Sequence, residues 1–234
     1  MTELILIRHG QACFGTDEYD RLSPLGIQQV ERLAAHLAQS PTPPTTLVHG
    51  SLRRQRQTAD LILQGLEANG RRLALTRDDR LDEYDIAGVF WGYLDDILAQ
   101  QPDLAPYRDR LNEHPAVFET VYRAIMQTWI ADATPSRRGL QSWPEFQQQV
   151  RDAFEHIRDR AGDRVLVVTS GAVIASLLGQ ALNLDPAMVL GLNSGLYNSS
   201  LTRFLVIDGK LVLTEFNTVP HLQGTGDRDL HSKR

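Results

Sequence analysis

One cysteine, Cys13, is present among 234 residues, so the chain can close no internal disulfide, and nothing in it implies an oxidising compartment. Lysine is almost as scarce: Lys210 and Lys233 are the only two, and nearly all the positive charge is arginine. The formal net charge is -5. Nucleic acid is bound through positive charge clustered on one face, so an acidic chain argues against that partner, while local arginines remain suited to a small anion. Long apolar runs are also missing. The opening MTELILIRHG has an apolar stretch too short for a signal peptide, and Arg8 ends it. Residues 165–182 come nearest to a membrane span, but Thr169, Ser170, Gly171 and Gln180 break them in the pattern of a buried strand followed by a packed helix. A cytoplasmic chain with no membrane partner is the expectation. At 42% apolar content its length suits one domain with a full core.

The apolar run LILI at 4–7 predicts a central parallel strand covered on both faces. Ser23 can cap the helix that follows, Pro24 suits its first turn, and Leu25, Val30, Leu33, Ala34 and Leu37 recur on one face. The prolines at 41–44 end that unit. Leu47-Val48 predicts a second strand, Ser51 the cap of a helix through Leu63, and 73–75 a third strand. This βαβα order favours right-handed crossovers and a parallel sheet. From about 88 to 160 the pattern becomes mostly helical, and ten of the sixteen aromatics lie between Tyr84 and Phe146. That insertion has an apolar face of its own, which suits a helical core packed on the sheet or, as a functional reading, a lid over the active site that lines a substrate pocket. Sheet-building resumes at Val165; 201–207 and 211–215, joined by Asp208-Gly209, predict a closing hairpin, and the last dozen residues read as frayed. The fold class expected is a three-layer α/β/α sandwich with a mostly parallel central sheet.

Ligands of open α/β sheets bind beyond the carboxyl ends of the strands. Strand one delivers Arg8-His9-Gly10, strand two leads to Ser51–Ala59, strand three to Leu81-Asp82-Glu83, and the strand at 165 to Ser170. The sequence here resembles the histidine phosphatase superfamily, the phosphoglycerate-mutase-like proteins, over nearly its whole length. RHG at 8–10 matches the family signature. LSPLGIQQ at 22–29 is similar to L-T-x-x-G-x-x-Q, and residues 51–59 resemble S-x-L-x-R-A-x-Q-T-A, which places the second phosphate-binding arginine at Arg54 rather than Arg53. Asp82-Glu83 after Leu81 resembles L-x-E, and NTVPHL at 217–222 is similar to N-D-x-x-H-L.

The resemblance implies a phosphomonoester hydrolase. Arg8 and Arg54 would hold the phosphate oxygens with paired charge-assisted hydrogen bonds, His9 would attack phosphorus, and Glu83 would give a proton to the leaving oxygen. Gln11, Ser170 and Gly171 would line the same anion. A carboxyl beside a bound dianion keeps its proton to higher pH than a free one, which implies an acid-leaning optimum. No metal or other cofactor is implied; the expected partner is a small-molecule phosphate ester, and a homodimer is compatible with the chain.

Three departures qualify the likeness. Thr169-Ser170-Gly171-Ala172 stands where the family has S-H-G-G, so the second histidine is missing; its loss predicts an attenuated or specialised enzyme. Losing one transition-state donor costs about 100- to 1,000-fold, small against the acceleration enzymes achieve. His49 and His221 are candidates to compensate, and restoring histidine at 170 is expected to raise turnover if the rest of the site is intact. Gln11-Ala12 lacks the hydroxyl often found after the signature, and Gln55 replaces the usual alanine after the second arginine. Other readings are a non-catalytic phosphate-ester sensor of the same fold, a phosphoglycerate-type mutase, and a serine hydrolase with Ser170 as nucleophile and His221 as base. The last lacks the G-x-S-x-G elbow, since Val168 and Ala172 occupy the glycine positions.

Overall fold

The computed structural model describes residues 2–13, 16, 18–132, 134, 139–160, 162–223 and 230–233. The fold is mixed α/β, built on a six-stranded sheet: β1 (Glu3–Arg8), β2 (Thr46–His49), β3 (Ala74–Arg77), β4 (Arg164–Thr169), β5 (Leu201–Ile207) and β6 (Lys210–Thr218). The spatial order is β3-β2-β4-β1-β5-β6. Strands β1–β4 pair in parallel, β5 runs against β1 and β6 against β5, so β5 alone opposes the rest and the sheet is mostly parallel. Register sets the site: Arg8 pairs with Thr169 and His49 with Val168, which brings the carboxyl ends of β1, β2 and β4 to one edge.

Helix α1 (Pro24–Ala38) and helix α2 (Arg53–Glu67) cover one face. Their Val30, Leu33, Leu37, Ala59, Ile62 and Leu66 share a core with Ile5, Ile7, Leu47, Leu166 and Val168. Pleating sends Leu4, Leu6, Val165 and Val167 to the opposite face, where they are also fully buried. Both faces are thus covered, as an apolar parallel strand requires. The remaining helices are α3 (Ile86–Gln100), α4 (Pro115–Ala131), α5 (Trp143–Arg160), α6 (Gly171–Leu182) and α7 (Pro186–Gly195). Helix α6 leaves β4 directly and contacts β1 and β6.

Ser23 caps α1 as expected, accepting from Gly26 N–H with Pro24 following. Ser51 does not cap α2. The N-cap position is Leu52, without a side-chain bond, because Ser51 Oγ donates to Asp82, whose carboxylate also accepts from the N–H groups of Ser51 at 2.6 Å and Leu52 at 3.3 Å. A carboxylate 30 residues downstream satisfies the helix start instead. The third strand begins one residue later than expected and is exposed throughout, as an edge. The hairpin turn has Asp208 at φ 49° and Gly209 at φ 75°, the left-handed pair that a tight two-residue connection needs. The end of the chain corrects its reading. Residues 224–229 lie outside the described ones, but Leu230 is buried against Val219 and Leu222, and Ser232 and Lys233, though not buried, are hydrogen-bonded to Gln29, Asn198 and Arg8, so this stretch is held rather than frayed.

The chain divides into two compact units, residues 1–83 with 149–234, and Tyr84–Gln148. The second carries the aromatic-rich helices. Tyr84 lies with its ring centroid 4.5 Å from Trp129 and 5.3 Å from Phe146, and Trp129 Nε1 donates to Gln141 O at 2.8 Å. No helix among the described residues is long and apolar enough to cross a membrane.

Candidate active site

His9 leaves β1 at a point fixed from three sides. Its N–H donates to Thr169 O at 3.0 Å, its carbonyl accepts from Ser199 N–H at 3.2 Å, and the next N–H, of Gly10, reaches Thr58 Oγ1 on α2 at 3.2 Å. Gly10 must be glycine: a Cβ there would stand 2.6 Å from Gly26 O at the head of α1. The strand end, α1 and α2 therefore meet at backbone distance, and the side chain of His9 is buried.

The imidazole's tautomer follows from its neighbours. Nδ1 lies 2.8 Å from Gly10 O, which can only accept, and Arg54 Nε donates to Nε2 at 3.1 Å. Nδ1 therefore carries the proton and Nε2 presents a lone pair. Burial, followed by the charges of Arg54 and Arg8, holds the pKa of His9 well below 6.5, so the ring is neutral at pH 7. A neutral imidazole with Nε2 free of its proton is the form that attacks an electrophile.

Arg54 is the hub. Its Nη1 donates to Asp20 Oδ1 at 2.6 Å and its Nη2 approaches Glu83 Oε2 at 3.4 Å, while Tyr19 stacks with its ring centre 5.5 Å from Cζ. Burial opposes its charge, but Glu83 and then Asp20 outweigh that and raise its pKa. Glu83 Oε1 accepts from Ala172 N–H, in the first turn of α6, at 2.8 Å. Arg8 Nη1 donates to the carbonyls of Leu196 and Lys233, whereas its buried Nε has no hydrogen-bond partner among the described residues. Burial lowers the Arg8 pKa, with Glu83 pulling the other way. Gly171 lies beside it: a Cβ at Gly171 would be 3.5 Å from Arg8 Nε and only 2.3 Å from Asn193 Oδ1.

Arg8, His9, Arg54, Glu83 and Gly171 are thus brought together. Ser170 is fully buried at the N-cap of α6 and makes no capping bond; its Oγ accepts from Gln55 Nε2 at 2.9 Å. Gln11 turns to α1 instead, its Oε1 accepting from Ser23 Oγ at 2.7 Å. Neither candidate histidine is hydrogen-bonded to Ser170. His49 repeats the His9 arrangement, with Nδ1 2.7 Å from Gly50 O, and His221 Nε2 pairs with Ser199 Oγ at 2.8 Å.

Sequence reasoning missed Asp20 and Tyr19, which sit in a segment without periodicity, and Asp82, whose capping role is non-local. It also missed the terminal segment's hold on the site. Gln29 accepts from Gln11 N–H at 3.0 Å and donates to Leu230 O at 2.8 Å and Ser232 Oγ at 2.9 Å, and Lys233 O receives Arg8. The glutamine at 29 was visible as a motif position; its partners were not.

Comparison with known proteins agrees with this architecture. The profile of the histidine phosphatase superfamily (branch 1) matches residues 4–219. Phosphoglycerate mutase from Bacillus anthracis superposes with a TM-score of 0.62 at 18% identity, covering 94% of each chain. Phosphoserine phosphatase from Entamoeba histolytica, in complex with 3-phosphoglyceric acid, gives 0.62 at 20% identity over 95% of this chain and 100% of its own. A mycobacterial glucosyl-3-phosphoglycerate phosphatase complexed with VO3 gives 0.60 at 22% identity over 93% and 99%. No curated protein matches the chain by sequence.

Proposed function

The chain belongs to the histidine phosphatase superfamily, and on that premise we propose that it is a phosphomonoester hydrolase working through a phosphohistidine on His9. The observation that carries the reading is the His9 ring: neutral, with Nδ1–H held by Gly10 O and the Nε2 lone pair turned toward Arg54. Arg8 and Arg54 bind the phosphate oxygens. The Nε2 lone pair forms a bond to phosphorus as the phosphorus–oxygen bond to the leaving group breaks, and the carboxyl of Glu83 passes its proton to that oxygen. Water then attacks the phosphohistidine, Glu83 takes the water's proton, the phosphorus–nitrogen bond breaks, and inorganic phosphate leaves with Nε2 restored.

Position 170 supplies a neutral donor where the family pattern has a ring that can carry charge, so the enzyme is attenuated or specialised. The test is hydrolysis of an aryl phosphate together with chemical trapping of phosphate on the protein. Acid-labile, base-stable label on His9 and loss of turnover in His9→Ala support the reading. Undiminished turnover in His9→Ala overturns it, and tight phosphate-ester binding with no label replaces the enzyme by a sensor of the same fold.

A further inference from the structure

Two of the chain's departures from the family pattern, Gln55 and Ser170, stand 115 residues apart in sequence and touch in space. Both are completely buried. Gln55 Nε2 uses both of its protons, one on Ser170 Oγ at 2.9 Å and one on Leu81 O at 3.0 Å. The amide cannot be turned over, because Leu81 O accepts only and would face Oε1. Ser170 Oγ thus spends a lone pair on Gln55, and its own proton is donated to no group among the described residues. A serine at an N-cap ordinarily gives its oxygen to an N–H of the first turn; this one does not. Next in the chain come Gly171, where a Cβ would stand 3.5 Å from the Arg8 Nε that has no partner among the described residues, and Ala172, whose N–H holds Glu83.

We infer that Gln55 is a positioning residue: its amide occupies the acceptor side of the Ser170 hydroxyl and so turns the O–H toward an anion oxygen held by Arg8 and Arg54. The pair supplies, as a fixed neutral donor, the hydrogen bond that the histidine at 170 would have made. An unheld hydroxyl rotates among three wells and competes for backbone partners; one held by an amide has its direction set before the substrate arrives. This rests on the phosphatase reading for its chemistry, but the donor itself is read from anion binding alone.

The experiment is a double-mutant cycle on vanadate affinity and on kcat/KM for an aryl phosphate, using Ser170→Ala, Gln55→Met and the pair. Gln55→Met keeps the shape, removes the unpartnered Oε1, and leaves Leu81 O bonded to Thr169 Oγ1 at 2.6 Å. A hydrogen bond to a charged group corresponds to about 10- to 100-fold, so each single variant weakens vanadate by that order. The pair falls less than about threefold below Ser170→Ala alone, because Gln55 acts only through the hydroxyl. Losses that multiply overturn the inference, since a merely structural glutamine would weaken the site whether or not Ser170 kept its hydroxyl. Independently of any variant, wild-type crystals soaked with vanadate place Ser170 Oγ about 2.7 Å from an anion oxygen; an Oγ with no oxygen in reach overturns it. Absence of turnover with an intact vanadate cycle would count against the phosphatase reading and leave the Gln55 assignment standing.

Discussion

His221 offers a quantitative test of how burial and charge are arranged behind the site. The residue is 8% exposed, Nε2 is paired with Ser199 Oγ, and Nδ1 has no partner among the described residues. Burial, then the neighbouring charges of His36, His231 and Arg32, lowers its pKa from 6.5 to about 3. The folded chain therefore refuses a proton that the unfolded chain accepts. With the folded pKa below the unfolded one, the stabilising difference is complete above pH 6.5, shrinks as pH falls, and levels off near pH 3. Each pH unit in that window costs about 1.36 kcal/mol. At pH 4.5 the loss from this residue is about 2.7 kcal/mol, a large share of the roughly 5–15 kcal/mol that holds a domain together. His9, whose pKa is also depressed by burial, acts in the same direction. The assay is urea unfolding followed by tryptophan fluorescence at pH 7.5, 6.0 and 4.5, comparing wild type with His221→Gln, whose amide can donate to or accept from Ser199 and cannot titrate. The variant loses about 2.7 kcal/mol less than wild type between pH 7.5 and 4.5. Equal losses in the two proteins would mean that His221 takes up its proton in the folded chain as readily as in the unfolded one.

Three further outcomes are expected. Gly171→Ala puts a Cβ 2.3 Å from Asn193 Oδ1, so stability falls by about 1–3 kcal/mol in the same urea assay, and vanadate binding weakens with it; an unchanged midpoint would contradict the packing described. Ser170→His lowers kcat/KM, contrary to the expectation from sequence, because Gln55 Nε2 stands 2.9 Å from the serine oxygen in a fully buried position; adding Gln55→Ala recovers activity, and a gain from Ser170→His alone would show that the ring has room. Asp20→Asn tightens inorganic phosphate binding about two- to fivefold by calorimetry, the size expected for releasing a partly exposed ion pair; weaker binding would mean that Asp20 orients Arg54 instead of competing for it.

The β1 strand and its Arg8-His9-Gly10 exit were legible because four consecutive apolar residues followed by a signature carry both local and family information. The cap at Ser23 was legible for a similar reason: a capping bond spans three residues. Ser51 misled by the same logic, since the carboxylate that satisfies the α2 start comes from Asp82, and no local pattern announces a partner 31 residues away. The terminal segment was misread because its polar composition is that of a loose end; what holds it is one buried leucine, Leu230, and hydrogen bonds to Gln29, Asn198 and Arg8 from distant elements. The two departures at 55 and 170 were each visible in the sequence. Their contact was not, because a buried polar pair has neither the periodicity of a helix nor that of a strand.

The charges around His9 also decide how an anion enters. Every nitrogen of the Arg54 guanidinium already serves a group of the protein: Nε serves His9, Nη1 Asp20 and Nη2 Glu83. Each bond uses one proton, and Nη1 and Nη2 each keep a second, so a phosphate can share these nitrogens with the carboxylates, whose negative charge opposes its binding. The Nε bond leads to the nucleophile itself, and the Glu83 carboxylate is 9% exposed and shielded from water. Asp20 is 40% exposed, so water can replace Arg54 as its partner at little cost, of order 1 kcal/mol or less. Arg8 brings a whole nitrogen, Nε, that has no partner among the described residues. Release of Asp20, itself held by Arg53 N–H at 2.7 Å, removes the most exposed of the opposing charges and lets both Nη1 protons turn to the phosphate.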